Sequence, residues 1–144
     1  MGSFVDDYLL YLLASASHDT SAEFHAEIKA AGLSVAEWRV LATLHDRNGL
    51  SIGELAAFTL SQQPTLTKLI NRMERDGLVK RIGDDADGRK VRVAVTERGR
   101  TTATRFVAAA RRHEDGLLGD YTEVEKAQLK RILKRLIRRA EPPA

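Results

Sequence analysis

The chain has 144 residues, 23 Lys and Arg against 20 Asp and Glu, a formal net charge of +3 and 43% hydrophobic residues. That composition is globular, too apolar for a disordered tail, and the length suits one domain or one domain built from two interlocking parts. Cysteine is absent, which excludes disulfides, thiolate metal sites and nucleophilic or redox-sensing thiols.

In chain order, residues 4–31 are expected to form one long helix, because Val5, Tyr8, Leu9, Leu12 and Leu13 recur at helical spacing and Gly32 offers a stop. The strongly apolar run at 8–14 within it is far short of the roughly 20 residues of a membrane helix. No basic stretch precedes it, so no secretory signal is expected, and Asp6 breaks a myristoylation motif at Gly2. A cytoplasmic location is expected. Ser34 and Glu37 then form an S-x-x-E capping box, whose side chains satisfy two orphan amides reciprocally and open a helix to about residue 47. The signal recurs at Ser51 and Glu54, opening a short helix with Ile52, Leu55 and Ala56 inward. Ser61 is the expected cap of the next helix, which tolerates Pro64 only in its first turn. Leu66, Leu69, Ile70 and Met73 share one face of that helix, and Gly77 ends it.

The period then changes. Residues 78–82 and 91–95 are β-branched and alternating, as in two short strands, and the polar loop between them contains Asp87-Gly88, so the pair is expected as a hairpin. Thr96 caps a further long helix with Ala103, Phe106, Val107, Ala110 and Leu117 on its apolar face. Thr122 and Glu125 make a third capping box, ahead of a final helix with Leu129, Ile132, Leu133, Leu136 and Ile137 on one side. The predicted order is four helices, a hairpin and two helices. This is a mainly α chain with a small β-hairpin wing, a winged helix-turn-helix flanked by further helices.

Function is read first from the helix after Ser61. With its apolar residues inward, it presents Gln63, Thr65, Thr67, Lys68, Asn71, Arg72 and Arg75 outward, and Thr65, Lys68 and Arg72 fall on one stripe. Amide and hydroxyl groups suit base edges in a major groove, and Lys68 and Arg72 suit phosphates that fix the register. An ordinary solvated helix face would carry the same residue types. The hairpin decides between them. Residues 61–100 hold ten basic side chains against six acidic ones, a local +4 that accounts for the whole chain's net charge and marks an electrostatic footprint on DNA. Arg89 and Lys90 are placed to reach a neighbouring minor groove or its phosphates, with Asp87 orienting Arg89. The expected DNA-binding residues are therefore Ser61, Gln63, Thr65, Thr67, Lys68, Arg72, Arg89 and Lys90. The basic residues of the final helix, such as Lys130, Lys134 and Arg138, are expected as solvated flanks of an amphipathic helix.

Metal binding and catalysis find no support in the sequence. His18 and His25, seven residues apart, would lie about 10 Å apart along a helix and cannot share an ion. His45 and His113 lack ligand-spaced partners, and there is neither a phosphate-cradling Gly loop nor a nucleophile motif. No cofactor, metal or catalytic residue is expected.

The segments Gly32-Leu33-Ser34, Glu37-Trp38-Arg39-Val40-Leu41, Gly53-Glu54-Leu55-Ala56, Thr65-Leu66-Thr67-Lys68-Leu69, Arg72-Met73-Glu74, Gly77-Leu78-Val79, Asp87-Gly88-Arg89 and Thr96-Glu97-Arg98-Gly99 follow one another in this order. The ordered set resembles the multiple antibiotic resistance regulator (MarR) family of bacterial transcription factors. The resemblance places the recognition helix after Ser61 and the D-x-R wing motif on Asp87 and Arg89. At Pro64 family members often carry a small hydroxyl residue, so no base contact is carried over to this position. It also implies a homodimer, with residues 1–32 and 103–144 as the helical dimerisation region and 33–102 as the DNA-binding lobe. Apolar residues at both ends, more than a small DNA-reading lobe could cover, agree with this.

By the same analogy a small-molecule effector is expected between the dimerisation helices and the DNA-binding lobe, with Tyr11, His18, Trp38, Arg39 and Phe106 as candidate contacts. Each also has a structural explanation: Trp38 and Phe106 as core, Arg39 as the partner of a carboxylate. For an anion such as an aromatic acid or its coenzyme A thioester, Arg39 and His18 are the sensible partners. The expected protein is a homodimeric repressor of a pseudo-palindromic operator, released by its effector. The alternatives are an effector-independent regulator or activator, a winged-helix protein-interaction module, and a small helical enzyme using His18 or His113.

Overall fold

The computed structural model describes residues 2–83 and 91–140, the last three of these as backbone only. The expected first helix is two: α1 (Phe4–Asp7) and α2 (Leu9–Ala30), separated by Tyr8 in an extended conformation. Ser3 Oγ accepts the Val5 N–H at 3.2 Å and starts the short piece. No residue of α1 is buried, so no packing enforces one continuous rod. Past Ala30 the chain turns through Gly32 at φ +87°, a conformation that side chains with a Cβ resist.

Helix α3 (Val35–Asp46) opens on a complete capping box, with Glu37 N–H donating to Ser34 Oγ and Ser34 N–H donating to Glu37 Oε1, both at 3.1 Å. At Ser51 the expected box is only half formed. Glu54 N–H donates to Ser51 Oγ at 3.2 Å, but Glu54 Oε1 accepts a hydrogen bond from the Ser51 hydroxyl at 2.9 Å rather than from the Ser51 backbone amide. The reason is an element not expected from the residue pattern: Leu50–Ser51 is a strand, β1, paired with the second hairpin strand. Helix α4 (Ile52–Thr59) follows and ends on Leu60 in the left-handed region at φ 58°.

Helix α5 (Gln63–Arg75) is capped by Gln62 without a side-chain hydrogen bond, not by Ser61. The Ser61 hydroxyl instead donates to Thr59 O at 3.3 Å and accepts from Thr59 Oγ1 at 3.2 Å, closing the α4–α5 turn. Pro64 falls in the first turn, where its missing N–H costs nothing.

Strands β2 (Val79–Gly83) and β3 (Val91–Val95) pair antiparallel from Val79↔Val95 to Gly83↔Val91, and the sheet order is β1-β3-β2. Leu78 precedes β2 rather than joining it, since its N–H caps the end of α5 on Met73 O at 2.9 Å. Thr96 Oγ1 accepts the Gly99 N–H at 3.0 Å, capping α6 (Glu97–Leu117) as expected. Val40, Leu41, Leu44, Leu55, Leu66, Ile70, Met73, Val79 and Val93 meet in one core, and Phe24, Ile28 and Phe106 form a second, smaller one.

By its contacts the chain divides into two compact units, residues 1–110 and 111–144. In the second, α7 (Glu123–Ala140) opens on a complete Thr122–Glu125 capping box. Lys130 Nζ meets Glu114 Oε2 at 2.9 Å. Leu129, Ile132 and Ile137, expected on its apolar face, stand exposed.

Candidate nucleic-acid interface

The rotation of α5 about its axis follows from its buried residues. Leu66, Ile70 and Met73 are fully inaccessible and Leu69 nearly so. On a helix this forces Gln63, Thr65, Thr67, Lys68, Asn71, Arg72 and Arg75 to the other side, where all are exposed. Three of the expected contact residues have local commitments as well. Thr67 Oγ1 donates to Gln63 O at 2.9 Å, so only its lone pairs and methyl face outward. The half-buried Ser61 spends its hydroxyl proton in the turn. Arg72 Nη2 lies 3.8 Å from Glu37 Oε1, a long pair that leaves the guanidinium half exposed. Thr65 and Lys68 carry neither a hydrogen bond nor an ion pair among the described residues.

A second arrangement escaped the sequence. Arg81, counted there only as part of the basic excess, donates Nη1 to Glu74 Oε1 at 2.8 Å and Nη2 to Asn71 Oδ1 at 2.7 Å. Its backbone N–H also reaches Glu74 Oε2 at 3.1 Å. The hairpin strand β2 is thus fastened to the exposed side of α5, and Asn71 is occupied in doing so. The i, i+3 spacing of Asn71 and Glu74 was the available signal. Arg89 and Lys90, with Asp87, lie outside the described residues.

Of the candidate effector contacts, the structure joins two. Trp38 stands edge-on to Phe24 at 5.4 Å and to Phe106 at 6.4 Å between ring centroids, and Phe106 is buried. Both therefore serve the smaller core. Tyr11 and His18 are exposed on α2, and Arg39 is exposed on α3 with no ion pair among the described residues. Arg39 does act on His25: after burial, its charge and that of Lys29 push the imidazole pKa down. Among the described residues no group of three His, Asp or Glu is placed to hold a metal, and no helix is long and apolar enough to cross a membrane.

The model of the MarR family matches residues 31–90, from the end of α2 through the hairpin loop. The transcriptional repressor IacR of Pseudomonas putida is 30% identical over 128 residues, 89% of this chain and 77% of that protein. The crystal structure of a MarR family transcriptional regulator from Silicibacter pomeroyi DSS-3 superposes with a TM-score of 0.87 and 41% identity, over 97% of this chain and 100% of that one. The chain belongs to the MarR family. Its α3, α4, α5 and hairpin are the family's winged helix-turn-helix, and it is a DNA-binding transcriptional regulator. The homoprotocatechuate degradative operon repressor of Escherichia coli is a further relative, 27% identical over 91% of this chain and 88% of that protein.

Proposed function

We propose that this MarR-family chain is a homodimeric repressor that places α5 in successive major grooves of a pseudo-palindromic operator and leaves it on binding a small anion. The observation that carries the reading is the fixed rotation of α5, which holds Thr65 and Lys68 outward on a rigid helix beside Arg72. Gln63 and Thr67 flank that stripe, Ser61 sits at the head of the helix, and Arg89 and Lys90 extend the contact through the wing. Repression agrees with the names of the P. putida and E. coli relatives. Their shared DNA-binding role agrees with a chain that carries out no reaction of its own. The second copy is called for by apolar residues standing in water at both ends: Leu9, Leu10 and Leu12 on α2, and Leu129, Ile132 and Ile137 on α7. Residues 1–32 and 103–144 would form the dimerisation region and 33–102 the DNA-binding lobe, in the cytoplasm where the operator lies.

The effector reading rests on the E. coli relative, which is named for an operon that degrades an aromatic acid. Arg39 supplies a cationic partner for such a molecule and His18 an imidazole to hydrogen-bond it, while Tyr11 is exposed and Trp38 and Phe106 would meet it only from the smaller core.

The test is operator binding by fluorescence anisotropy at several salt concentrations. Lys68→Ala should weaken binding by about 1–3 kcal/mol if Lys68 reads a base edge, and should relax preference at one base pair. A phosphate contact would instead weaken all sequences alike and lower the salt slope by about 1. Wild-type affinity and salt slope in the variant would refute the assignment.

A further inference from the structure

Two glutamines stand together at the head of α5, and their side chains are disposed differently. Gln63 is the first residue of the helix and Gln62 its cap. The Gln63 side chain reaches back to α4, its Nε2 3.4 Å from where a Cβ on Gly53 would stand. The missing Cβ lets the amide lie close against the first turn of α4. On a helix Gln63 also lies about 160° around the axis from Thr65, away from the stripe that Thr65 shares with Lys68. Gln62, three residues ahead of Thr65, is only about 60° from it.

The Gln62 amide is unspent. Its side chain is exposed and makes no cap hydrogen bond, nor any other hydrogen bond among the described residues. Caps are ordinarily the short Ser, Thr, Asp or Asn, whose oxygens reach the amides of the first turn. A glutamine here forgoes that bond, and Ser61 just ahead commits its hydroxyl to Thr59. The backbone around Gln62 is nonetheless fixed on both sides. Ser61 N–H donates to Ala56 O at 3.0 Å, and Gln62 O accepts the Leu66 N–H at 2.9 Å. Pro64 locks its own φ two residues on. Gln62 therefore offers donors and an acceptor from a rigid backbone, so little order is lost when they find a partner.

We infer that Gln62 is the glutamine that reads a base, its side-chain amide pairing with an adenine in the major groove, while Gln63 is a positioning residue that holds α5 against α4. A carboxamide donates to one atom and accepts from another, and adenine offers the matching pair in N7 and the N6 amino group. The first residues of a recognition helix are those that meet base edges. The residue pattern pointed to Ser61 and Gln63 and passed over Gln62. The shift of the cap from Ser61 to Gln62 brings it to the head of the helix. The inference rests on the reading of α5 as the helix that enters DNA and names one base contact within it.

The test measures binding of the full-length protein to an operator selected from random duplexes, with each adenine replaced in turn by 7-deazaadenine, which keeps Watson–Crick pairing but lacks N7. For the wild type, replacement at one adenine in each half-site should weaken binding, and in Gln62→Ala the same replacement should have no effect. Gln62→Ala should itself bind the unmodified operator about 5- to 150-fold more weakly. Its thermal unfolding should match the wild type, since the side chain holds no bond in the free protein. Gln62→Glu should move the preference at that base pair from adenine to cytosine, whose amino group donates to a carboxylate. Gln63→Ala should weaken all sequences alike, and Gln63→Met, which keeps the length of the side chain, should restore the loss. An adenine preference kept in Gln62→Ala and lost in Gln63→Ala would overturn the assignment and leave α5 as the reading helix. A wild type indifferent to 7-deazaadenine at every position would overturn the adenine contact alone. A wild type that binds no duplex would end the reading of α5 itself, and this contact with it.

Discussion

Arg81 of β2 grips Glu74 of α5 twice, through Nη1 to Oε1 at 2.8 Å and through its backbone N–H to Oε2 at 3.1 Å. With the bond to Asn71 Oδ1, the hairpin and the proposed recognition helix become one rigid piece. The side chains of Arg81 and Glu74 are 28% and 42% exposed, so solvent weakens the pair and Arg81→Ala should cost about 0.5–1.5 kcal/mol of folding stability. Operator affinity should fall by more than the folding loss explains, because the wing is no longer held to α5. Thermal unfolding and anisotropy on the same preparation would separate the two effects. Unchanged operator affinity would show that the brace is dispensable.

Gly99 sits where α6 crosses the start of the hairpin, and a Cβ there would overlap the Leu78 carbonyl oxygen. That carbonyl also accepts the Thr96 N–H at 3.1 Å, so backbone, not a pliable side chain, would have to move. Gly99→Ala should therefore destabilise the fold by about 1–3 kcal/mol. Gly116, near the end of the same helix, has no atom within 4 Å of its would-be Cβ. Gly116→Ala should stabilise by up to about 0.5 kcal/mol through helix propensity. Urea denaturation of both variants checks the contrast, and equal effects would contradict it.

His25 carries a pH dependence. Burial, then the charges of Arg39 and Lys29, lower its pKa in the folded chain from the ordinary value of about 6.5. Between the folded value and about 6.5 the unfolded chain binds more protons, so stability is full above that window and falls as pH drops through it. Once pH lies below the folded pKa the loss is complete. Subtracting the profile of His25→Gln from that of the wild type should leave a decline confined to this window. A flat difference would show that the imidazole is as easily protonated folded as unfolded.

The apolar side chains on α7 give a prediction about assembly. Ile132 is 51% exposed and Ile137 61% exposed, a costly display for a stable monomer helix. Ile132→Glu should yield a folded monomer in sedimentation equilibrium at concentrations where the wild type is dimeric, with operator affinity lost alongside. A wild type that sediments as a monomer at micromolar concentration would refute the dimer.

Much of this was legible in the amino-acid order. Ser34 with Glu37, and Thr122 with Glu125, announced helix starts because a capping box is a local contract between side chains three residues apart. Leu66, Leu69, Ile70 and Met73 fixed the inward side of α5 by period alone, and with it the outward stripe of Thr65 and Lys68. The failures share a cause in distant partners. Leu50–Ser51 becomes a strand only because β3 lies beside it, and no pattern two residues long can announce that. Ser61 is the exception, a local one: it looked like a cap, but Thr59, two residues back, draws it into the turn. Trp38 and Phe106 already read more readily as core than as effector contacts, and their ring packing with Phe24 agrees with the core reading.

The central claim is that the outward side of α5 reads duplex DNA in two symmetry-related copies. Hydroxyl-radical footprinting on an operator selected from random duplexes tests it most directly. Two protected tracts about 10 base pairs apart, centre to centre, are predicted for the wild type, with base preference inside each tract relaxed in a Thr65→Ala, Lys68→Ala double variant. No protection at low salt, or a double variant that selects the same sequence with the same strength, would contradict the account.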